Sequence, residues 1–207
     1  MFKPIDIHSM RQECSIVSPS QKTDSTQGVS VNQLPFPIFF LDFEASSVGP
    51  QSYPIEAGLG FWRGSGHPII TWSTLIQPAP DWTDWSEASA KIHDIPRAEL
   101  ATGRTVESVA RRLNEMMIDR VAYSDAPALE ARWTRRLYAA AGVEQTWAIG
   151  DIDDLLGGLD NFAIERRARW LERTKKPHRA GPDIEREVKG LARAINARDV
   201  AVVRQAL

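Results

Sequence analysis

The chain has 207 residues, a length that fits one domain of ordinary size with a substantial core. Hydrophobic residues make up 43% and charged residues 25%, and the formal net charge of −2 argues against a protein that coats long nucleic acid through a large basic surface. No apolar run approaches the roughly 20 residues of a membrane span, and the one cysteine, Cys14, excludes an internal disulfide. We therefore expect a cytoplasmic protein that does not contact a membrane.

The chain begins with a polar segment and continues with a group of strand-like segments. Residues 1–34 mix polar and turn-forming side chains without periodicity, which predicts a flexible tail followed by one folded domain over 35–207. Three apolar segments rich in strand formers come next and are joined by short turns: 35–43, 55–62 and 69–76. Three consecutive strands with short connections predict an antiparallel meander.

The remaining chain alternates between helical patterns and short apolar segments. Thr105 is a suitable N-cap for one of these helices, and Gly142 is a suitable C-terminal residue for another. Helices are predicted over 86–93, 105–117, 127–141, 159–173, 182–195 and from 199 to the end, and strands over 120–123 and 146–149. The order predicts the α/β class, with a mixed sheet flanked by helices.

Two acids follow the first apolar strand directly. Asp42 and Glu44 are two residues apart, so their carboxylates project from the same face of the strand end. Like charges at this spacing repel each other, and a divalent cation such as Mg²⁺ or Mn²⁺ removes the repulsion. The triplet is common in unrelated chains, but two acids at the end of a buried strand indicate a metal site.

A second pair of polar residues stands where a late helix begins. Asp183 lies near the first turn of that helix, where backbone N–H groups can orient its carboxylate. His178 lies upstream in the preceding loop, and a histidine beside a metal site is a natural general base near neutral pH. A surface histidine and a helix-capping aspartate would explain the same residues if the segment stood alone.

A third group of acids follows the strand over 120–123. Asp125 stands where this strand turns into the next helix, and Glu130 stands early in that helix. Functional groups are common at such strand ends in α/β sheets. The structural alternatives are an N-cap for Asp125 and a solvated helix residue for Glu130.

Taken in chain order, the acid pair Asp42 and Glu44, the acid at 125 or 130, and then His178 with Asp183 resemble the DnaQ-like DEDD exonucleases of the His subtype. The segment Ala88–Leu100, which contains Ile-His-Asp-Ile, is also similar to a family segment that commonly reads His-Gly-Ile. The resemblance extends from about Ile38 to Ile195. It implies a ribonuclease H-like fold and a 3′-to-5′ exonuclease that acts on single-stranded 3′ ends of DNA or RNA; it leaves the oligomeric state undetermined.

The resemblance also implies a role for each acid. Asp42 would bridge two divalent cations, Mg²⁺ or Mn²⁺, with Glu44 and Asp183 completing the first site and His178 acting as general base. The family's second motif often reads His-Asn-x-x-Phe-Asp, which Ser124-Asp125 and Leu129-Glu130 resemble with one extra residue between them. We favour Glu130 as the acid of the second cation site and keep Asp125 as the alternative.

A basic run leads into the His178 segment. Five of its residues are candidates for binding nucleic-acid phosphates: Arg166, Arg169, Arg173, Lys175 and Lys176. Trp170 would either offer a stacking surface for a base or belong to the core beneath a solvated helix face. Trp82 and Trp85 either line a nucleotide pocket or cover the sheet.

A catalytically inactive domain that binds nucleic acid or protein is the alternative function. A binding module has no need for a cluster of acids, so the presence of Asp42, Glu44, His178 and Asp183 favours the enzyme.

Overall fold

The computed structural model describes residues 34–197 and 200–205. Apart from Leu34, the tail predicted over 1–34 lies outside these residues. The described strands are β1 Ile38–Ala45, β2 Pro54–Trp62, β3 Ile69–Gln77, β4 Arg104–Thr105, β5 Val121–Ser124, β6 Ala148–Asp151 and β7 Val202–Arg204. The described helices are α1 Glu87–His93, the 3₁₀ helix Arg97–Thr102, α2 Val106–Met117, α3 Pro127–Ala141, α4 Ile152–Leu156, α5 Asn161–Arg173 and α6 Ala180–Ala194.

The strands form one mixed sheet in the order β4-β3-β2-β1-β5-β6, and β7 pairs with β3. Strands β1, β2 and β3 form the predicted antiparallel meander. Strand β5 pairs parallel to β1, and β6 pairs parallel to β5. The predicted α/β class, with a mixed sheet flanked by helices, is therefore confirmed, and the arrangement is compatible with a ribonuclease H-like fold. None of the described helices combines the length and apolar character needed to cross a membrane.

The alternation of side chains along β1 assigns them to two cores on the two faces of the sheet. Phe39 and Leu41 belong to the core that contains α2 and α3, whereas Ile38 and Phe40 pack in the core formed with α6. Because the side-chain period of a strand is two, positions 42 and 44 continue the second row. The acids at the end of β1 are therefore on the side of the sheet where α6 packs.

Two glycines on β2 allow α6 to lie close to the sheet. A Cβ atom on Gly58 would lie 2.8 Å from the carbonyl carbon of Ala180, and one on Gly60 would overlap the side chain of Ile184. Gly58 pairs with Asp42 of the neighbouring strand. The close approach therefore places the first turn of α6 beside the acidic end of β1.

The prediction of a helix from 199 to the end is wrong where the structure describes that segment. Val202–Arg204 form β7, whose residues pair with Ile69–Thr71 at the edge of β3. The backbone N–H of Ile69 donates to Ala201, and that of Gln205 donates to Thr71. A β-branched Val-Val pair beside an available strand edge favours pairing over helix formation.

Several predicted boundaries need smaller corrections. The helix predicted over 159–173 begins at Asn161 and follows a separate short helix, Ile152–Leu156, that was not predicted. The strand predicted over 146–149 lies at 148–151, and α6 begins two residues before the predicted Pro182. The two predicted helix ends are confirmed, because Thr105 accepts a hydrogen bond from the Ser108 N–H and Gly142 adopts the left-handed conformation.

Candidate metal centre

Three of the predicted metal ligands meet at the end of β1. Asp42 and Glu44 extend from the strand, and Asp183 extends toward them from the first turn of α6. One carboxylate oxygen from each residue lies within 4.8 Å of the other two. Asp183 follows Glu44 by 139 residues in the chain (183 − 44), so the fold brings together acids that are distant in sequence.

Burial and mutual repulsion raise the pKa values of these carboxyl groups. Burial raises the pKa of Glu44 to about 8, and the nearby charges of Asp183 and Glu56 add to the effect. The pKa of Asp42 is raised by burial and by the charges of Glu130 and Glu44. Burial also raises the pKa of Asp183. Without a cation, the cluster therefore retains protons at pH values where exposed carboxyl groups are ionised.

The cluster has the properties that a hard divalent cation requires. The Oδ2 atoms of Asp42 and Asp183 are buried, and neither has a hydrogen-bond partner among the described residues. Buried carboxylate oxygens without partners are costly in a folded protein. Three carboxylates suit Mg²⁺ or Mn²⁺, which prefer oxygen ligands, so Asp42, Glu44 and Asp183 fit such an ion.

His178 borders the cluster from the loop between α5 and α6. Its backbone N–H donates a 3.3 Å hydrogen bond to Oδ1 of Asp183, and its side chain is half-buried. Its φ angle is +56°, a left-handed conformation that a histidine rarely adopts. The strained residue is therefore tied directly to one of the candidate ligands, a placement that suits the general base predicted from the sequence.

Glu130 lies under the end of β1 and is 1% exposed. Its Oε1 accepts a 3.4 Å hydrogen bond from the backbone N–H of Phe43, whereas its Oε2 has no partner among the residues that the structure describes. After burial, Glu130 is the largest cause of the raised pKa of Asp42. Glu130 is thus close to Asp42 but lies outside the group of three acids whose oxygens meet.

Asp125 occupies a different part of the site, at the end of β5. It is not an N-cap: the cap of α3 is Ala126, without a side-chain hydrogen bond, and Ser124 Oγ accepts from the Ala126 N–H. Oδ2 of Asp125 lies 3.4 Å from Nζ of Lys176. The two candidate acids of the second motif therefore differ in their partners, since Glu130 contacts the backbone of β1 and Asp125 contacts a lysine.

The predicted nucleic-acid-binding residues divide into two places. Lys176 lies in the cleft with Asp42, Asp125 and Asp183, rather than on an outer basic surface. Three of the predicted arginines line a separate groove of about 480 Å³ between α5 and the end of α6; its charged and aromatic residues are Arg166, Arg169, Trp170, Arg173 and Arg193. We call this the arginine groove. Lys175 is exposed in the loop that connects the two places.

An ion pair that the sequence did not predict fixes the start of α6. The guanidinium of Arg179 donates two hydrogen bonds, of 2.9 and 3.0 Å, to the buried carboxylate of Glu56 on β2. The same carboxylate accepts a 3.0 Å hydrogen bond from the Ala180 N–H. In the sequence, Glu56 is only an acid inside an apolar strand, and nothing there indicates that Arg179 is its partner.

The aromatic residues near the site also separate into two roles. Trp82 is buried and stacks on Tyr53 with ring centroids 5.1 Å apart, so it covers the sheet. Trp85 contacts the buried His93 edge-on. His93 Nδ1 accepts from the Ile95 N–H, and its Nε2 has no partner within the described chain. Burial lowers the pKa of His93, a buried imidazole that the sequence indicated only as part of the Ala88–Leu100 segment.

The fold and the site together define an α/β domain with an acidic, metal-competent centre at the end of its central strand. Comparison of the sequence with models of known protein families, and with curated proteins, finds no significant match. A functional proposal therefore depends on the geometry and chemistry of this centre.

Proposed function

We propose that this protein is a metal-dependent 3′-to-5′ exonuclease that hydrolyses phosphodiester bonds of DNA or RNA. The observation that carries the proposal is the meeting of Asp42, Glu44 and Asp183, with one oxygen from each within 4.8 Å. Asp42 and Asp183 each have a buried oxygen without a partner among the described residues, and the backbone N–H of His178 donates to the other oxygen of Asp183. This combination suits hydrolysis assisted by a divalent cation.

Each residue of the centre has a distinct role in the proposed reaction. Asp42, Glu44 and Asp183 would hold Mg²⁺ or Mn²⁺, and the resemblance implies a second ion near Asp42 and Glu130. When bound, the cation supplies positive charge that stabilises the charge developing on the scissile phosphate. His178 would accept a proton from the attacking water, and the hydrogen bond from its backbone N–H keeps this residue beside Asp183.

The arginine groove supports a nucleic-acid substrate, with single-stranded 3′ ends as the proposed form. Helix α5 contributes Arg166, Arg169 and Arg173 to the groove and leads directly into the loop that carries His178. A single strand of nucleic acid whose phosphates contact these arginines could continue past Lys175 toward the acidic cluster. Trp170 is half-buried in the same groove, where its exposed part could contact a base. A cytoplasmic location is part of this proposal.

The direct test uses oligonucleotides labelled separately at the 5′ and 3′ ends, as single strands and duplexes of DNA and RNA, with Mg²⁺, Mn²⁺ or excess chelator. We expect stepwise release of mononucleotides from the 3′ end, only with a divalent cation. His178→Asn should lower turnover by roughly 10²–10⁴-fold, because asparagine tolerates a positive φ but cannot act as the base. Cleavage in chelator, or cleavage that begins internally, would contradict the proposal. Metal-independent binding without cleavage would favour the inactive binding domain.

A further inference from the structure

We propose that the ammonium group of Lys176 takes the place of the second divalent cation, so that the acidic centre of this protein binds one metal ion. The inference rests on the proposed function and refines it, because a one-ion centre would still hydrolyse phosphodiester bonds. In the sequence, Lys176 belongs to a run of arginines and lysines, which suggested only that it binds phosphates of the nucleic acid.

Lys176 lies among the acids of the centre. Its side chain lines the same cleft as Asp42, Asp125 and Asp183, and its Nζ lies 3.4 Å from Oδ2 of Asp125. The cavity that remains between these side chains is only about 10 Å³, which is room for roughly one water molecule. A second ion with its own water ligands would therefore have to displace the lysine.

Lys176 is also the one basic residue among those that line this cleft, whereas Asp42, Asp125, Asp183 and Glu187 are acidic. One positive charge inside the acidic group compensates part of its repulsion, which is the electrostatic role of the second ion in a two-ion centre.

The distribution of carboxylates also favours a single ion. Asp42, Glu44 and Asp183 form the one group of three whose oxygens meet among the described residues. Of the two acids left for a second site, Asp125 accepts from Lys176, and Oε1 of Glu130 accepts from the Phe43 N–H, which leaves Oε2 of Glu130 without a partner in the described chain. A second divalent ion that used Asp125 would therefore have to replace its ion pair with Lys176.

The position of Lys176 is fixed by the loop that carries it. Two residues further on, the backbone of His178 bonds to Asp183, and Arg179 then pairs with Glu56. Lys175, the preceding residue, is exposed. The two adjacent lysines thus have different surroundings, and Lys175 provides a matched control for the loss of one positive charge from this loop.

The test measures the number of Mn²⁺ ions bound per chain, by calorimetric titration and by electron paramagnetic resonance of the loaded protein. We expect one ion in the wild type and two in Lys176→Met, which keeps most of the length of the unbranched side chain but removes its charge. The resonance of Lys176→Met should show the spin coupling of two neighbouring ions. Lys176→Arg, which keeps the charge, and Lys175→Met should each bind one ion.

The outcomes separate this inference from the proposed function. Two ions in the wild type, or one ion in a folded Lys176→Met, would overturn the role of Lys176 and leave the proposed nuclease standing. No Mn²⁺ binding by the wild type would overturn both. Circular dichroism reports whether Lys176→Met is folded. If it is not, Lys176→Gln provides a second neutral variant, and the wild-type count by itself still decides against the inference if it is two.

Discussion

The described part of the chain contains two kinds of buried carboxylate, and they differ in what balances their charge. Glu56 and Glu185 are each 6% exposed or less, and each is held by an arginine through two hydrogen bonds. Arg179 donates to Glu56 at 2.9 and 3.0 Å, and Arg204 donates to Glu185 at 2.7 and 3.0 Å. These carboxylates are satisfied by the protein itself.

Asp42, Glu130 and Asp183 form the contrasting group. Each has one buried carboxylate oxygen without a hydrogen-bond partner among the described residues. The pKa of each is raised, first of all by burial. The difference teaches that a buried acid with a structural role pairs with a positively charged side chain of the same protein. A group of acids whose buried oxygens have no hydrogen-bond partner instead indicates a cation bound from solution.

Asp183 and Glu185 show that the contrast is set by tertiary surroundings. Both residues belong to α6, both are buried, and they are two positions apart. Asp183 joins the acids of β1, while Glu185 meets an arginine from β7. The local sequence singled out Asp183 by its place after His178, but it did not indicate the partner of either acid, because those partners come from opposite ends of the chain.

The largest effect that this comparison predicts is for Asp42→Asn. Activity should fall by about 10³-fold or more, because the stabilisation of the developing charge by a bound cation contributes several kcal/mol. The stability of the metal-free protein should stay the same or increase, since the substitution removes repulsion from Glu44 and Glu130. Nuclease assays and thermal melts with Mn²⁺ and with chelator measure both quantities.

Glu56→Gln is the matched control for this prediction. It should lower the free energy of unfolding by about 2 kcal/mol, less than for a fully buried pair because the side chain of Arg179 is 40% exposed. The variant should keep its stabilisation by Mn²⁺. A loss of stability in Asp42→Asn as large as in Glu56→Gln would remove the distinction between the two kinds of acid.

The sequence predicted the parts of the fold and site that depend on local patterns. The continuous apolar run of β1 and the two-residue spacing of Asp42 and Glu44 together predicted that both acids lie on one face of a strand end. The same logic identified the meander and the two helix ends at Thr105 and Gly142. In each of these cases the determining interactions lie within a few residues along the chain.

The sequence could not predict features that depend on distant contacts. The pairing of β7 with β3 requires an available strand edge, which a helical pattern near the C-terminus does not reveal. Lys176 belongs to a basic run, yet in the folded chain it lines the acidic cleft with Asp42 and Asp183. The tight packing of α6 at Gly58 is equally non-local.

The second prediction concerns the pH dependence of stability without metal. The folded-state pKa of Glu44 is about 8, above its ordinary value near 4.5, so the folded protein binds this proton more tightly than the unfolded chain does. The associated stability is fully present below about pH 4.5 and is lost as pH rises through about 8, by at most roughly 5 kcal/mol. Melting in chelator should therefore show stability falling across this range.

Divalent cations should reverse this dependence, because binding requires ionised carboxylates and releases protons. The gain in melting temperature from Mn²⁺ should be larger at pH 8.5 than at pH 5.5. Glu44→Gln, which cannot titrate, should show a flatter pH profile in chelator. A metal-free stability that is constant or rises with pH, with no difference between the wild type and Glu44→Gln, would argue against the shifted carboxyl group.

The smallest expected effects come from the same substitution at two buried glutamates. Glu130→Gln should raise the free energy of unfolding of the metal-free protein by about 1 kcal/mol at pH 8. The amide oxygen can still accept from the Phe43 N–H, while the charge next to Asp42 is removed. Glu185→Gln should instead lower the free energy of unfolding by about 1 kcal/mol or less, because the substitution breaks an ion pair whose arginine, Arg204, is 72% exposed.

Urea denaturation in chelator measures both values. The opposite signs are the essential result: destabilisation by Glu130→Gln would mean that the buried carboxylate is balanced by the fold, and Glu130 would then belong with the structural acids rather than with the metal centre.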